Sequence, residues 1–347
     1  MSGPAGRTLV LLAWLAGWAN PRLAPATEPL FSQSELITPA AEEAAARGID
    51  YLVEHQRDEG HFAVSRSGGN VAIVAFAGMA LLASGSTPGR GPHGEAVDRC
   101  VDYLLANIDQ QGIILAPVAT TSQTMYEHGF AALFLCECYG MAQRPELRDR
   151  LGDAIQVIVN AQNEEGGWRY WPEPRSADVS VTVCQVMTLR AARNAGIAVP
   201  AETIDRAVAY VKQCQNDDGG FRYMLSAGDK TSAFPRSAAG VVALYNAGIY
   251  EGQEIDRGLE YVAQFQPGEK GADGVPYYFY GHYYAVQAMW HAGGDRWQQW
   301  YPAIRDELVE RQQADGSWQD GIGREYATAL ACMVLLTPNN YLPILQR

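Results

Sequence analysis

Gln162-Asn-Glu-Glu-Gly166-Gly-Trp168 returns along this chain as Gln215-Asn-Asp-Asp-Gly219-Gly-Phe221, as Gln312-Gln-Ala-Asp-Gly316-Ser-Trp318 and as Gln56-Arg-Asp-Glu-Gly60-His-Phe62. The shared pattern is Gln-x-x-x-Gly-x-aromatic, and a unit that recurs about every 50 residues is the mark of a repeat architecture. Glycine supplies the positive φ of a helix C-cap. Glutamine offers an amide for orphan carbonyls or amides, and the aromatic covers the junction with the next unit. Unit two is degenerate, with Ile108 in place of the glutamine before Gly112, and unit five carries an insertion from Pro267 to Gly274.

Working outward, an amphipathic helix precedes each turn: Glu42 to Gln56, Gly94 to Ile108, Pro145 to Gln162, Pro200 to Gln215, Gln253 to Gln266 and Trp297 to Gln312. A much more apolar helix follows: Asn70 to Ser84, Ser122 to Tyr139, Val179 to Asn194, Ser237 to Asn246, His282 to His291 and Tyr326 to Leu336. A helix apolar all round is buried on all sides. Six outer–inner pairs therefore either stack as an open solenoid or close into a ring.

The repeat resembles that of squalene-hopene and oxidosqualene cyclases, shared in weaker form with protein prenyltransferase β subunits, and it spans about Glu42 to Leu336. The chain is identified as a divergent member of that terpenoid cyclase-like superfamily. The resemblance implies an all-α fold, an (α/α)6 toroid with six inner helices as a barrel inside six outer ones and a cavity at one end. There is one ring here where the triterpene cyclases have two.

The resemblance also says where chemistry belongs. The cyclases carry Asp-x-Asp-Asp-Thr on an inner helix, with the middle Asp as proton donor; the matching stretch is Asp178-Val179-Ser180-Val181-Thr182. A group that protonates an alkene must be a carboxylic acid kept protonated and activated by its neighbours, and Ser180 is far too weak. Asp178 is either a relocated acid or a helix N-cap. The prenyltransferase zinc ligands fall on Ala233, Pro235 and Gly281, none of which binds zinc. The Cys-Gly-Glu-Gln of complement-type thioester domains is absent. No metal and no cofactor is expected.

Counting seven residues back from Leu135, Leu189, Leu244, Met289 and Leu335 lands on His128, Thr182, Ser237, His282 and Thr328. A polar residue at one symmetric position of such apolar helices predicts a belt facing the mouth of the ring. The alternative is that these groups bond carbonyls one turn back. Around the belt lie Thr124, Tyr126, Glu127, Arg236, Tyr278, Tyr280, Tyr283, Tyr284, Arg324, Glu325 and Tyr326. The candidate catalytic groups are Asp178, Glu127, His128 and His282; Thr182, Ser237, Tyr278, Tyr280, Tyr284, Arg236, Arg324, Tyr326 and Thr328 are candidate ligand contacts. The aromatic run from Val275 to Tyr284, followed by Trp290, Trp297 and Trp300, suits isoprenoids or sugars.

Bulk properties narrow the class. With 347 residues, 48% apolar and a net charge of −13, the chain is a folded protein that repels phosphate backbones, so nucleic acid is excluded as a partner. Arg7, the apolar run Leu9 to Ala19 and Ala24-Pro25-Ala26 read as a secretory signal, residues 1–26, cleaved near Ala26. Its run of about 11 apolar residues falls short of the ~20 that span a bilayer, and no later segment spans one. The protein is expected to be exported, periplasmic or extracellular, with residues 27–41 as an arm, 42–336 as the toroid and 337–347 as a tail over the ring seam or free. The six cysteines are scattered through apolar helices and read as small buried hydrophobes. Three functions follow: a toroid without standard cyclase activity that binds an isoprenoid-like molecule, a peptide or a protein partner; an isoprenoid cyclase of the isomerase type with a relocated acid; or a toroid polysaccharide lyase.

Overall fold

The computed structural model describes residues 36–62, 69–116, 123–268 and 276–346. The proposed signal and most of the arm and of the unit-five insertion lie outside them. Among the described residues twelve α-helices follow one another: α1 (Pro39–His55), α2 (Val71–Ala83), α3 (Gly94–Ala106), α4 (Thr124–Cys138), α5 (Leu147–Ala161), α6 (Val179–Asn194), α7 (Ala201–Gln213), α8 (Phe234–Asn246), α9 (Gln253–Ala263), α10 (Tyr278–Ala292), α11 (Gly294–Arg311) and α12 (Arg324–Leu336). Among the described residues there is no strand beyond isolated bridges.

The even-numbered helices are the inner layer. Helix α2 packs on α4, α4 on α6, α6 on α8, α8 on α10, α10 on α12, and α12 returns to α2. The layer is thus a closed barrel. Sequence decides which helix goes where: in α2 every residue but Ala72 is buried, whereas α3 buries only Gly94, Ala96, Val97, Cys100, Val101 and Leu104, one stripe at helical spacing. Helices α8, α10 and α12 begin two to four residues before the expected starts, because Phe234-Pro235, Tyr278-Phe279 and Arg324-Glu325 already turn as helix. Proline is well suited to that first turn, since its missing N–H would have had no partner there.

The turn motif is what fastens one unit to the next. The Gln162 side-chain nitrogen donates to Gly166 O at 2.8 Å within its own turn and to Thr203 O at 2.8 Å at the start of α7. Gln56 does the same with Gly60 and Ala96, and Gln215 with Gly219 and Glu254. Gln312 bonds Gly316 O at 2.9 Å and Ala44 O at 2.8 Å, joining the last unit to the first. The next outer helix replies with an arginine: Arg257 donates to Asn216 O at 2.7 Å and Arg47 to Ala314 O at 2.8 Å. The aromatics are fully buried, and the indoles of Trp168 and Trp318 donate to Ile158 O and Leu308 O at 2.7 and 2.8 Å.

The tail passes beside unit one, where the Tyr341 ring stands against Gly85. It crosses the barrel end formed by the inner-helix C-termini, where Leu342, Ile344 and Leu345 are buried. Side chains of three inner helices hold its backbone: Glu137 of α4 accepts from Ile344 N at 3.0 Å, Trp290 of α10 donates to Leu345 O at 3.2 Å, and Arg190 of α6 donates to Gln346 O. Burial pushes the Glu137 carboxyl up to about 7, against the pull of the Ile344 bond and Arg190. Among the described residues no helix is long and apolar enough to cross a membrane.

Each motif glycine has a second duty besides its positive φ. At Gly166 (φ +96°) an added Cβ would stand 2.3 Å from Arg206 O, a backbone atom that cannot step aside, while Gly196 (φ +76°) faces open space. Gly166→Ala is expected to cost several kcal/mol in urea unfolding, and Gly196→Ala about 1–2 kcal/mol from backbone strain alone. Equal losses would show that the close contact is not what fixes this glycine.

Candidate functional site

The polar belt does not line the mouth. The Trp168 backbone N–H donates to Thr182 Oγ1 at 3.1 Å, Phe221 N–H to Ser237 Oγ at 2.8 Å and Trp318 N–H to Thr328 Oγ1 at 3.0 Å. In unit two, Ile114 N–H donates to His128 Nδ1 at 3.1 Å, and His128 Nε2 bonds Ala154 O at 3.0 Å. Each of these side chains receives the turn motif's aromatic, or its counterpart, where that residue enters the core. They are latches between turn and inner helix rather than ligand contacts. Burial pushes His128 down to about 4, so the imidazole is neutral, as a ring accepting from one N–H and donating to one carbonyl must be.

His282 occupies the same position in unit five. It is packed against Phe234, Tyr278 and Trp300, with ring centroids 5.0, 4.4 and 5.8 Å away, and neither ring nitrogen has a hydrogen-bond partner among the described residues. Burial and the nearby Arg311 push it down to about 3. It faces α8 and α11, away from the barrel interior. Tyr278 goes with it, its ring 4.4 Å beneath the Arg311 guanidinium. Glu127 is buried on the α3 side, where its charge bears on Tyr103. Arg236 holds Phe221 O and Thr231 O, and Arg324 holds Gln319 and Asp315, so both expected ligand contacts are loop anchors. Among the described residues no three His, Cys, Asp or Glu gather as a metal site.

Tyr280, Tyr284 and Tyr326 do converge, and on the barrel interior. Tyr280 Oη and Tyr126 Oη lie 3.0 Å apart, so a phenol pair joins α4 and α10, which stand on opposite walls of the ring. Beneath and beside it are Tyr284, 4.8 Å from the Tyr280 ring; Phe130, stacked 6.1 Å from Tyr126; and Phe76, 4.4 Å from Phe130 and 5.8 Å from Tyr326. These rings form an aromatic floor. The Ser180 hydroxyl is a hydrogen-bonding neighbour of Tyr126, so the position of the family's acid does face this floor and carries a neutral donor there. Burial raises the Tyr126 phenol further, keeping it protonated.

Sequence reading missed the rim beside the floor. Tyr170 and Tyr223 share a hydrogen bond of 2.5 Å, and Tyr223 donates to Asp178 Oδ2 at 3.2 Å. The Tyr170 carbonyl takes the Met125 N–H at the start of α4, and the Tyr223 carbonyl takes the Val179 N–H of α6. The signal was present: Trp168-Arg169-Tyr170 and Phe221-Arg222-Tyr223 repeat one unit apart. Phe76 and Phe130 carried none, since a Phe in an apolar helix looks like any other core residue.

Asp178 is the N-cap of α6. Its Oδ1 accepts from Val181 N at 2.9 Å and its Oδ2 from Tyr223, with Arg169 Nε 3.9 Å away. Burial pushes it up to about 6, against these bonds. A carboxyl raised from 3.8 to about 6 holds its proton more firmly folded than unfolded. Its contribution favours the fold at low pH and is lost as pH rises through that window, with a slope of up to about 1.4 kcal/mol per pH unit. Asp178→Asn keeps an acceptor for Val181 and removes the titration. Urea midpoints should converge or cross between wild type and variant from pH 4 to 6; parallel curves would mean Asp178 is not the group that titrates.

Residues 131–275 match the model of the squalene-hopene cyclase C-terminal domain. Drimenyl diphosphate synthase from Streptomyces showdoensis is 26% identical over 181 residues, 52% of this chain and 32% of that relative, so the match spans about a third of the curated protein's length. Among solved structures, the type II terpene cyclase MstE from Scytonema, in complex with its substrate geranylgeranyl dihydroxybenzoate, superposes with a TM-score of 0.61 at 14% identity, covering 90% of this chain and all of that one. An inactive variant of the α-1,6-mannanase GH76A of Salegentibacter sp. HEL1_6, in complex with α-1,6-mannotriose, gives 0.64 at 10% identity over 87% of this chain and 99% of that one. At such identities the structures share a fold, the all-α toroid.

Proposed function

We propose that this chain, a squalene-hopene cyclase-like member of the terpenoid cyclase superfamily, binds an isoprenoid-like hydrophobic molecule on its aromatic floor and does not carry out acid-initiated cyclisation. The observation that carries the reading is the Tyr126–Tyr280 phenol pair, bonded across the ring beside Ser180. A proton donor for an alkene needs a protonated carboxylic acid facing the substrate; phenols and a serine hydroxyl offer hydrogen bonds and ring faces instead. The leader-like residues 1–26 support binding outside the cytoplasm, in the periplasm or beyond. A peptide or protein partner is the weaker form of the reading, since the floor offers rings and few amide-pairing groups.

One observation favours a cyclase with a relocated acid: Asp178 is lifted to about 6, so part of it is protonated near neutrality. Its oxygens are engaged by Val181 and Tyr223, which makes it an acceptor, and the binding reading is preferred. The likeness to a mannanase extends to the fold alone.

Native mass spectrometry of protein purified from an exporting bacterial host tests both. One isoprenoid lipid per chain is expected, together with an N-terminus near Thr27. Protein incubated with geranylgeraniol, squalene or geranylgeranyl diphosphate should return each unchanged in gas chromatography after dephosphorylation. A cyclised product that disappears in Asp178→Asn would overturn the reading in favour of the cyclase.

A further inference from the structure

The end of the barrel away from the mouth holds an acid that the floor and the rim do not use. Glu137 is the one carboxylate in the C-terminal half of any inner helix, between Cys136 and Cys138, and the residue is 4% exposed. A carboxyl so placed needs either donors or a proton. The tail brings one donor, the Ile344 N–H at 3.0 Å, and α6 brings the charge of Arg190, yet burial outweighs both.

The tail has the make-up of a part that moves as a unit. Gln346 Nε2 donates to Asn340 O at 3.3 Å, which closes residues 340–346 into a loop, and Asn340 takes a left-handed conformation (φ +53°) where the loop leaves the 3-10 turn Thr337–Asn339. Besides the buried Leu342, Ile344 and Leu345, the loop is fastened through backbone groups held by Glu137, Trp290 and Arg190. Indole and guanidinium donors keep their protons at any ordinary pH, so of these fastenings Glu137 is the one whose charge can change.

The surroundings leave that change to the tail. Among the described residues Arg190 is the one charged side chain that bears on Glu137. Helix α2 has no titratable residue, Asp98 of α3 is held by Arg144, and the charges of α5 do not reach Glu137. Cys136 and Cys138 beside it and Tyr283 of α10 are kept neutral by burial. Tyr341 of the tail stands against Gly85. His291, the other titratable group at this end, is packed on Tyr245 and Tyr250.

We propose that residues 337–346 are a proton-operated plug: protonated Glu137 keeps the tail seated across the far end of the barrel, and ionised Glu137 loosens it. With the tail seated the carboxyl stands at about 7; with the tail away, water reaches it and it returns towards its ordinary 4.5. The seated form therefore binds the proton more firmly. Seating is at full strength below about 4.5, weakens by up to tenfold per pH unit as pH rises to about 7, and is weakest above that.

Hydrogen exchange of the whole chain, read by mass spectrometry from pH 5 to pH 8 and corrected for intrinsic rates, tests the plug. Protection of the peptide covering 337–346 should fall at least tenfold relative to a peptide of α6. Glu137→Gln, which keeps an oxygen for the Ile344 N–H and cannot ionise, should hold the tail at its acid level throughout. Leu345→Ala, which weakens seating without touching the carboxyl, should start lower and show the same fall, so a poorly folded Glu137→Gln does not end the test. A wild-type tail whose protection relative to α6 does not change with pH, or a fall that persists in a folded Glu137→Gln, overturns the proposal; the second outcome would assign the pH response to His291.

Discussion

In four of the six turns one glutamine amide nitrogen, divided between a carbonyl of its own unit and a carbonyl of the next, carries the construction of this ring. Helix ends leave carbonyls and amides without partners, and a junction between two helix pairs multiplies them. Gln56, Gln162, Gln215 and Gln312 each settle two carbonyls at once, and in doing so set the spacing between neighbouring outer helices. The glycine four residues on lets the backbone come close enough for that reach, and the aromatic two further plugs the gap beneath. Remove the amide and two buried carbonyls lose their partner, at a cost of about 1–3 kcal/mol each.

Because the clamp is a local pattern, the fold could be read from sequence. The alternation of a striped helix with a wholly apolar one, seen in α3 and α2, reveals which layer each belongs to without any knowledge of the neighbours. The site could not be read so well, for a physical reason. Thr182, Ser237 and Thr328 repeat at a symmetric position, and symmetry in a repeat protein marks what every unit needs, which is the latch for its own turn. The residues that face the interior, Tyr126, Ser180, Tyr280 and Tyr326, also share one position, two residues before His128, Thr182, His282 and Thr328; what breaks the repeat is the cap, Asp178 in unit three and Ala233 in unit four. The course of the tail was beyond such a reading, because nothing in residues 342–345 reveals the shape of the surface that receives them.

The electrostatics of the mouth follow from the same asymmetry. Two successive units present the same tripeptide pattern around Arg169 and Arg222, and only one of them supplies a carboxylate. Near that carboxylate lie phenols that burial holds protonated, so this side of the interior is a neutral, hydrogen-bonding, ring-faced surface.

The bond from Gln312 to Ala44 joins residues 268 positions apart. An open solenoid gains each interface as its repeats emerge, and it can lose or add a unit at either end. This ring has no end units and needs no caps, but its last interface cannot form until nearly the whole chain has been synthesised. Assembly therefore waits on its most distant contact, the condition under which folding is slow and half-made barrels expose their apolar walls. The same closure makes the starting point of the chain arbitrary: a circularly permuted version cut at any outer turn would inherit every clamp.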